Sequence, residues 1–295
     1  MLSINPKEIK TGLLHSYMLH AVAPRPIAFA STIDKNGKMN LSPFSFFNAF
    51  GSNPPTLVFS PARRVRDNTI KHTLENINET MEVVINVVNY AMVQQASLAS
   101  CEYPKGVNEF EKAGFTPLKS DIVKPYRVKE SPVQFECTVS RIIETGDQGG
   151  AGNLVICEIV KMHISEDVLD ADKKIDQQKI DLVARMGGDF YCRASGNAIF
   201  TVEKPNLKLG IGFDNLPAEL KNSHVLTGND LGILANVEAI PGSEEIKEFA
   251  SRPEVKKLLA VLNDDESNKN LARHLAAKRL LAEGKVKEAW MLLLI

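Results

Sequence analysis

The fold turns on two segments, Val133-Gln-Phe-Glu-Cys-Thr-Val-Ser-Arg-Ile-Ile143 and Leu154-Val-Ile-Cys-Glu-Ile-Val-Lys-Met-His-Ile164. In the first, Val133, Phe135, Cys137 and Val139 fall on one face, and Gln134, Glu136, Thr138 and Ser140 on the other. A period of two marks a half-buried antiparallel strand. The second segment pairs with it across the polar, glycine-rich connection Thr145-Gly-Asp-Gln-Gly-Gly-Ala-Gly-Asn153.

Working outward, Pro26–Thr32, Thr56–Ser60, Glu82–Val88 and Ala198–Val202 read as further strands. Ile70, Leu74 and Ile77 recur at helical spacing after Asp67, which reads as the N-cap. Tyr90–Ser100 and Asn108–Ala113 are further helices. Many strands with few, irregularly placed helices predict a mostly β, antiparallel barrel rather than a doubly wound sheet. After Pro205 the pattern turns helical: Leu216–Leu220, Glu244–Ala250, Pro253–Leu262, Asn268–Ala282 and Val286–Leu294, with Gly284 placed as a helix stop. The expected division is a barrel domain over 1–204 and a helical extension over 205–295.

The chain has 295 residues, and its 35 Lys and Arg against 36 Asp and Glu leave a net charge of −1. Such a chain has no global field for nucleic acid or anionic lipid, so any anion recognition must be local. Its four cysteines form no CxxC pair, and its histidines form no HxxH, HxxxH or HExxH pattern, which argues against a metal site. The opening residues lack the basic-then-apolar plan of a signal peptide, and no apolar run approaches a membrane span. The expectation is a soluble, cytoplasmic protein that binds neither nucleic acid nor membrane.

Four stretches are candidate sites. Gly146, Gly149, Gly150 and Gly152 lie between two strands, whereas a dinucleotide fingerprint needs a helix to follow; they read as a hairpin loop. The run Ser60-Pro-Ala-Arg-Arg-Val-Arg-Asp-Asn-Thr-Ile-Lys71 brings three arginines to a helix start. Free N–H groups, the helix dipole and guanidinium groups suit a phosphate, and a solvated basic turn is the plain alternative. In Pro24–Asn53, Ser31, Thr32, Asn40, Ser42, Ser45 and Asn48 lie among Phe44, Phe46, Phe47 and Phe50. Small polar groups beside aromatics suit the edge of a flat heterocycle, and equally a packed hairpin corner. Arg185-Met-Gly-Gly188 allows close backbone approach or a tight turn.

Taken in order, Pro24-Arg-Pro-Ile-Ala28 with Ser31-Thr32, Asn40-Leu-Ser-Pro-Phe-Ser-Phe-Phe-Asn48, Arg66-Asp-Asn-Thr69, Glu130–Cys137 and Arg185–Tyr191 resemble the blocks of the flavin reductase-like family. That family's fold is the FMN-binding split barrel, and the resemblance covers roughly residues 10–204. It departs from the family at Asn68, inserted between the Asp and Thr of a K-D-T block. The resemblance implies a homodimer with non-covalent FMN near the dimer interface. Its phosphate would sit on Arg66, Asn68, Thr69 and Lys71, with Ser60 adding a hydroxyl. Ser31, Thr32, Ser45, Phe46 and Asn48 would border the ring and ribityl chain, with Arg25, Arg185, Gly187 and Gly188 as further contacts.

The implied activity is that of an NAD(P)H:flavin oxidoreductase, with NAD(P)H docking transiently as substrate and the flavin carrying the chemistry. The alternative is a flavoredoxin-type carrier that exchanges electrons with an acceptor protein. The helical extension lies outside the resemblance.

Overall fold

A computed structural model describes residues 1–205, 208–262 and 266–295. The chain divides into two compact units, Met1–Phe200 and Thr201–Ile295.

In the first unit, helix α1 (Thr11–Ala21) precedes strands β1 (Ala28–Ile33), β2 (Met39–Phe44), β3 (Phe47–Ser52) and β4 (Pro55–Phe59). Helix α2 (His72–Thr80), strand β5 (Glu82–Val87) and the short helices α3 (Val93–Leu98) and α4 (Glu109–Ala113) follow. Next come the two-residue strands β6 (Pro117–Leu118) and β7 (Arg127–Val128), the long pair β8 (Val133–Glu144) and β9 (Asn153–Ile164), and the short pair β10 (Val183–Arg185) and β11 (Tyr191–Arg193).

Seven of these strands form one sheet in the order β2-β1-β5-β8-β9-β4-β3, and every pairing in it is antiparallel. The two edge strands, β2 and β3, are consecutive in the chain, with only Ser45 and Phe46 between them. A link that short holds the sheet's two ends together at one corner, so the sheet must curl. One apolar cluster follows from the curl, with Ala30 of β1, Phe44 of β2, Phe59 of β4, Ile85 of β5, Val139 of β8 and Cys157 of β9 packed around Leu74 and Ile77 of α2. A second cluster on the other face packs Phe29 and Leu41 against Met92, Ala96 and Phe110. The expected barrel is therefore a curled seven-stranded sheet; among the described residues β2 and β3 are not paired with each other.

Other expectations need correction. Ala198–Val202 forms no strand, because no sheet edge receives it, and Phe200 and Val202 stay exposed. β2 was hidden by Pro43, which an edge strand tolerates because the absent N–H breaks no ladder. α2 begins at His72 rather than beside Asp67, with Lys71 in the capping position and no side-chain cap.

Glu136, near the start of β8, has no exposed surface. Its carboxylate accepts from the backbone N–H groups of Asp121 (2.9 Å), Ile122 (2.6 Å) and Val123 (3.1 Å), and His163 Nε2 lies 2.7 Å away. One side chain thus fastens the 121–123 turn to the sheet.

The second unit is helical: α5 (Ala218–Lys221), α6 (Gly228–Ala235), α7 (Ser243–Ser251), α8 (Pro253–Leu262), α9 (Glu266–Ala282) and α10 (Val286–Leu293). It has its own core around the fully buried Trp290, whose Nε1 donates to the Leu234 carbonyl at 3.0 Å. α6 escapes sequence reading because Gly228 and Gly232 dilute its pattern; a capping box between Thr227 and Asp230 starts it instead. Gly284 ends α9 in the left-handed region, at φ +74°. Among the described residues, no helix is long and apolar enough to cross a membrane.

Candidate functional site

β4 ends at Phe59 and the chain crosses to α2 through the basic loop 60–71. The loop is self-bonded. Asp67 Oδ1 accepts from Thr69 N (3.1 Å) and Thr69 Oγ1 (2.6 Å), so Asp67 closes a turn instead of capping the helix. Those hydrogen bonds hold the Asp67 carboxyl at about 2, below its usual range. Arg64 reaches across the turn: Nη1 donates to Thr69 Oγ1 and to the Ile70 carbonyl, both at 2.8 Å, and Nε meets Glu102 Oε1 at 3.1 Å. Arg66 pairs with Glu102 and with Asp67 and is largely exposed.

Asn68 occupies the left-handed region at φ 59°, which Asn tolerates better than most residues. Arg63 donates to its side-chain oxygen at 2.7 Å and to its carbonyl at 3.0 Å, and its own amide donates to the Asp147 carbonyl at 2.9 Å. The inserted residue is thus taken up as a locked bend.

The glycine-rich β8–β9 hairpin straps this loop. Gly150 N donates to Arg63 O (3.1 Å), and Arg63 N donates to Ala151 O (2.9 Å). Ser60, buried, accepts from Asn153 N at 3.0 Å, so its hydroxyl ties strands together. A Cβ on Gly149 would lie 2.9 Å from Val65 O and 3.0 Å from Arg64 O. Gly149→Val will therefore lift the hairpin from the loop, at a cost of about 1–3 kcal/mol in thermal or denaturant unfolding. Unchanged stability would show that the strap is slack.

A cleft opens beside the loop, lined by Ser42 of β2, Arg64, Lys71, His72, Glu102 and Glu109 among others. Among the described residues Lys71 has no ion-pair partner. Burial pushes its ammonium below the usual value, and Arg64 pushes the same way. His72 is also lowered, first by burial and then by Arg64, against an opposite pull from Glu75. Burial raises the Glu109 carboxyl, although Leu41 N donates to it at 3.0 Å. The α2 N-terminus opens here with no side-chain cap. Uncapped N–H groups, an unpaired ammonium and a guanidinium are the donor set of an anion seat.

The other sequence candidates have varied settings. Ser31 and Thr32 have no exposed surface to offer a ligand. Thr32 Oγ1 accepts from Asn40 (3.3 Å) and Asn76 (3.1 Å), joining β1 to β2 and α2, while Ser31 Oγ is buried without a partner. Arg25 is also buried; it donates to the carbonyls of Leu19, Val22 and Met186, and to Ser45 Oγ at 3.3 Å. Burial and the neighbouring Arg185 lower its pKa. It is a brace that holds Ser45 at the β2–β3 corner. Phe46 at that corner is half-buried, edge-on to His15, and Asn48 is exposed on β3. Arg185 covers the Tyr191 ring at 4.7 Å. Gly187 lies against the His20 ring, which a Cβ would meet at 2.2 Å, and Gly188 turns at φ +56°. Ser42, a candidate from the Pro24–Asn53 stretch, lies in this cleft, whereas sequence reasoning passed over His72, Glu102 and Glu109. Glu102 and Glu109 come from far along the chain, and no local signal marks them.

Residues 19–179 match the family model described as "Flavin reductase like domain". That is more than half of the chain, which belongs to this family. A protein of Aquifex aeolicus is 37% identical over 190 residues, covering 64% of this chain and 94% of its own. Nitrilotriacetate monooxygenase component B from Bacillus cereus is similar in structure, with TM-score 0.64, 28% identity, and coverage of 68% of this chain and 98% of its own. 2-Nitrobenzoate 2-nitroreductase from Pseudomonas fluorescens is also similar, with TM-score 0.60, 25% identity, and coverage of 74% and 99%.

Proposed function

We propose that the chain binds FMN non-covalently and acts as an NAD(P)H-dependent flavin oxidoreductase. The observation that supports this best is the cleft at the start of α2, where Lys71, with no ion pair among the described residues, lies beside Arg64 and an uncapped helix end. A phosphate dianion supplies the charge this cluster lacks. Bound there, FMN would supply the capacity to take hydride from a nicotinamide and to pass electrons on.

The chain's own part is binding and orientation. Lys71, Arg64, Ser42 and the first N–H groups of α2 hold the phosphate. Arg66, Asn68 and Thr69 hold Arg64 and the loop, a role one step removed from the contact that the family blocks imply. Ser45, Phe46 and Asn48 border the ring at the β2–β3 corner, with Ser45 set by Arg25. Strand β3 is nearly all exposed, with Phe50 at 69%. That apolar edge supports a homodimer that covers the flavin. On this proposal the residues that contact the flavin all belong to the expected barrel domain over 1–204, and the helical extension over 205–295 is given no part in binding. Four unpaired cysteines fit a reducing, cytoplasmic setting.

The relatives support a reductive role: one is a nitroreductase, another is one component of a monooxygenase. The test is the visible spectrum of FMN-loaded protein mixed anaerobically with NADH or NADPH. Bleaching of the flavin band within the turnover time is expected with at least one. Bleaching by dithionite but by neither nucleotide would replace the reductase with an electron carrier that serves an acceptor protein.

A further inference from the structure

His72 is the first residue of α2 and lines two neighbouring spaces. One is the cleft beside Lys71 and Arg64. The other is a cavity of about 260 Å³ bounded by the 34–38 turn and Lys105-Gly-Val107. A ligand in the cleft leaves the imidazole open to the other space. Ring nitrogens of His20, His163 and His274 are committed, to the Ser16 carbonyl, Glu136 and Ser223. The His72 ring has no hydrogen-bond partner among the described residues.

The charges that face this ring are unbalanced. Burial opposes a positive imidazole first; Arg64 and Lys71 from the basic loop and Lys105 from the 99–107 segment add to it. Glu75, one turn along α2, favours the charge but is already paired with Lys105 at 2.5 Å. The other acids around the two spaces are spent too. Glu102 is held by Arg64 and Arg66, and Glu109 accepts from Leu41 N. Asp34 closes its own turn through Asn36 N and Lys38 N, and Lys38 adds one more cation. Cys101 and Tyr103, on the cleft wall, bring no positive charge. A phosphate monoester in the cleft reverses the balance, because it carries about two negative charges near pH 7.

We propose that the His72 side chain is a further contact of the flavin phosphate, one that takes up a proton from solvent as FMN binds and makes FMN affinity rise as pH falls. This rests on the reading that the phosphate sits beside Lys71 and Arg64. The imidazole lone pair takes the proton, and the new N–H donates to a phosphate oxygen. Burial holds the free side chain below its ordinary 6.5, and the bound anion raises it. The gain in affinity is therefore absent above the raised value and complete below the lowered one. The phosphate's own second proton, lost near about pH 6, works in the opposite direction, since the monoanion binds less well.

The test is titration of the full-length chain with FMN and riboflavin, followed by flavin fluorescence at about pH 8 and about pH 5.5, for the native protein and His72→Gln. Glutamine keeps a hydrogen-bonding group and takes no proton in this range, so the phosphate's own titration cancels in the ratio of native to variant affinity. For FMN that ratio should grow about tenfold from the higher pH to the lower, the effect of one pKa unit. For riboflavin it should stay constant. Calorimetry of the native protein with FMN at about pH 7, in buffers of different ionisation enthalpy, needs no variant and should show uptake of up to about half a proton. A constant FMN ratio with no proton taken up overturns the role of His72 and leaves the phosphate anchor standing. FMN no tighter than riboflavin at either pH removes the anchor itself, and the proposal falls with it.

Discussion

Alanine at both Arg64 and Lys71 will weaken FMN about a hundredfold and leave riboflavin within about threefold, since only FMN carries the phosphate these groups would meet. The size follows from removing two charge-assisted hydrogen bonds at once from a partly buried cleft. Arg64 is the more entangled of the two, because it also holds Thr69, the Ile70 carbonyl and Glu102. Lys71→Ala alone therefore separates phosphate binding from scaffolding, as Lys71 has no ion pair to disrupt among the described residues. Lys71→Arg should recover most of the affinity. Arg66→Ala should cost far less, since Arg66 is largely exposed and paired with Glu102 and Asp67. Isothermal or fluorescence titration reads all four variants, and equal losses for FMN and riboflavin would remove the phosphate from this cleft.

Glu136→Ala will destabilise the first unit by about 3–5 kcal/mol, because several buried donors lose their acceptor at once. The carboxylate is fully buried, and its loss strands three backbone N–H groups at 121–123 together with His163. Burial by itself would raise the Glu136 carboxyl; the Asp121 N–H, His163 and the N–H groups of Ile122 and Val123 outweigh it and hold it at about 2, against an ordinary 4.5. A folded value below the unfolded one gives stability that is complete above about 4.5 and is lost as pH falls towards 2. Denaturant unfolding between those limits should therefore show a steep decline in the native protein and a shallower one in Glu136→Gln. Parallel pH profiles would mean that the carboxylate is not the group that titrates.

The long β8–β9 pair was legible because apolar Val133, Phe135, Cys137 and Val139 alternate with polar residues, although Gln134 and Glu136 on the other face are buried too and the register shifts at Glu136/Cys137 and Val139/Arg141. β3 was not legible: five of its six residues are exposed, so no buried face imposes a pattern. α1 was missed for the same reason, having no buried residue at all. The basic loop was found from composition, yet the partners within it were displaced. Asp67 had the residue type of an N-cap, but its carboxylate closes onto Thr69, which moves the helix start to His72 and brings Lys71 forward as Arg66 moves out. A local pattern reports which residues are close along the chain. It holds no record of Glu102 drawing Arg64 across the turn, or of Asp147 fixing Asn68, because those partners come from distant segments.

The central claim is that a flavin phosphate rests at the start of α2. A crystal structure of the full chain soaked with FMN tests it most directly. The account expects the phosphate oxygens within hydrogen-bonding distance of Lys71 Nζ and the His72 and Thr73 N–H groups, with Arg64 alongside. An FMN phosphate bound elsewhere on the chain, with this cleft holding only water, would contradict it.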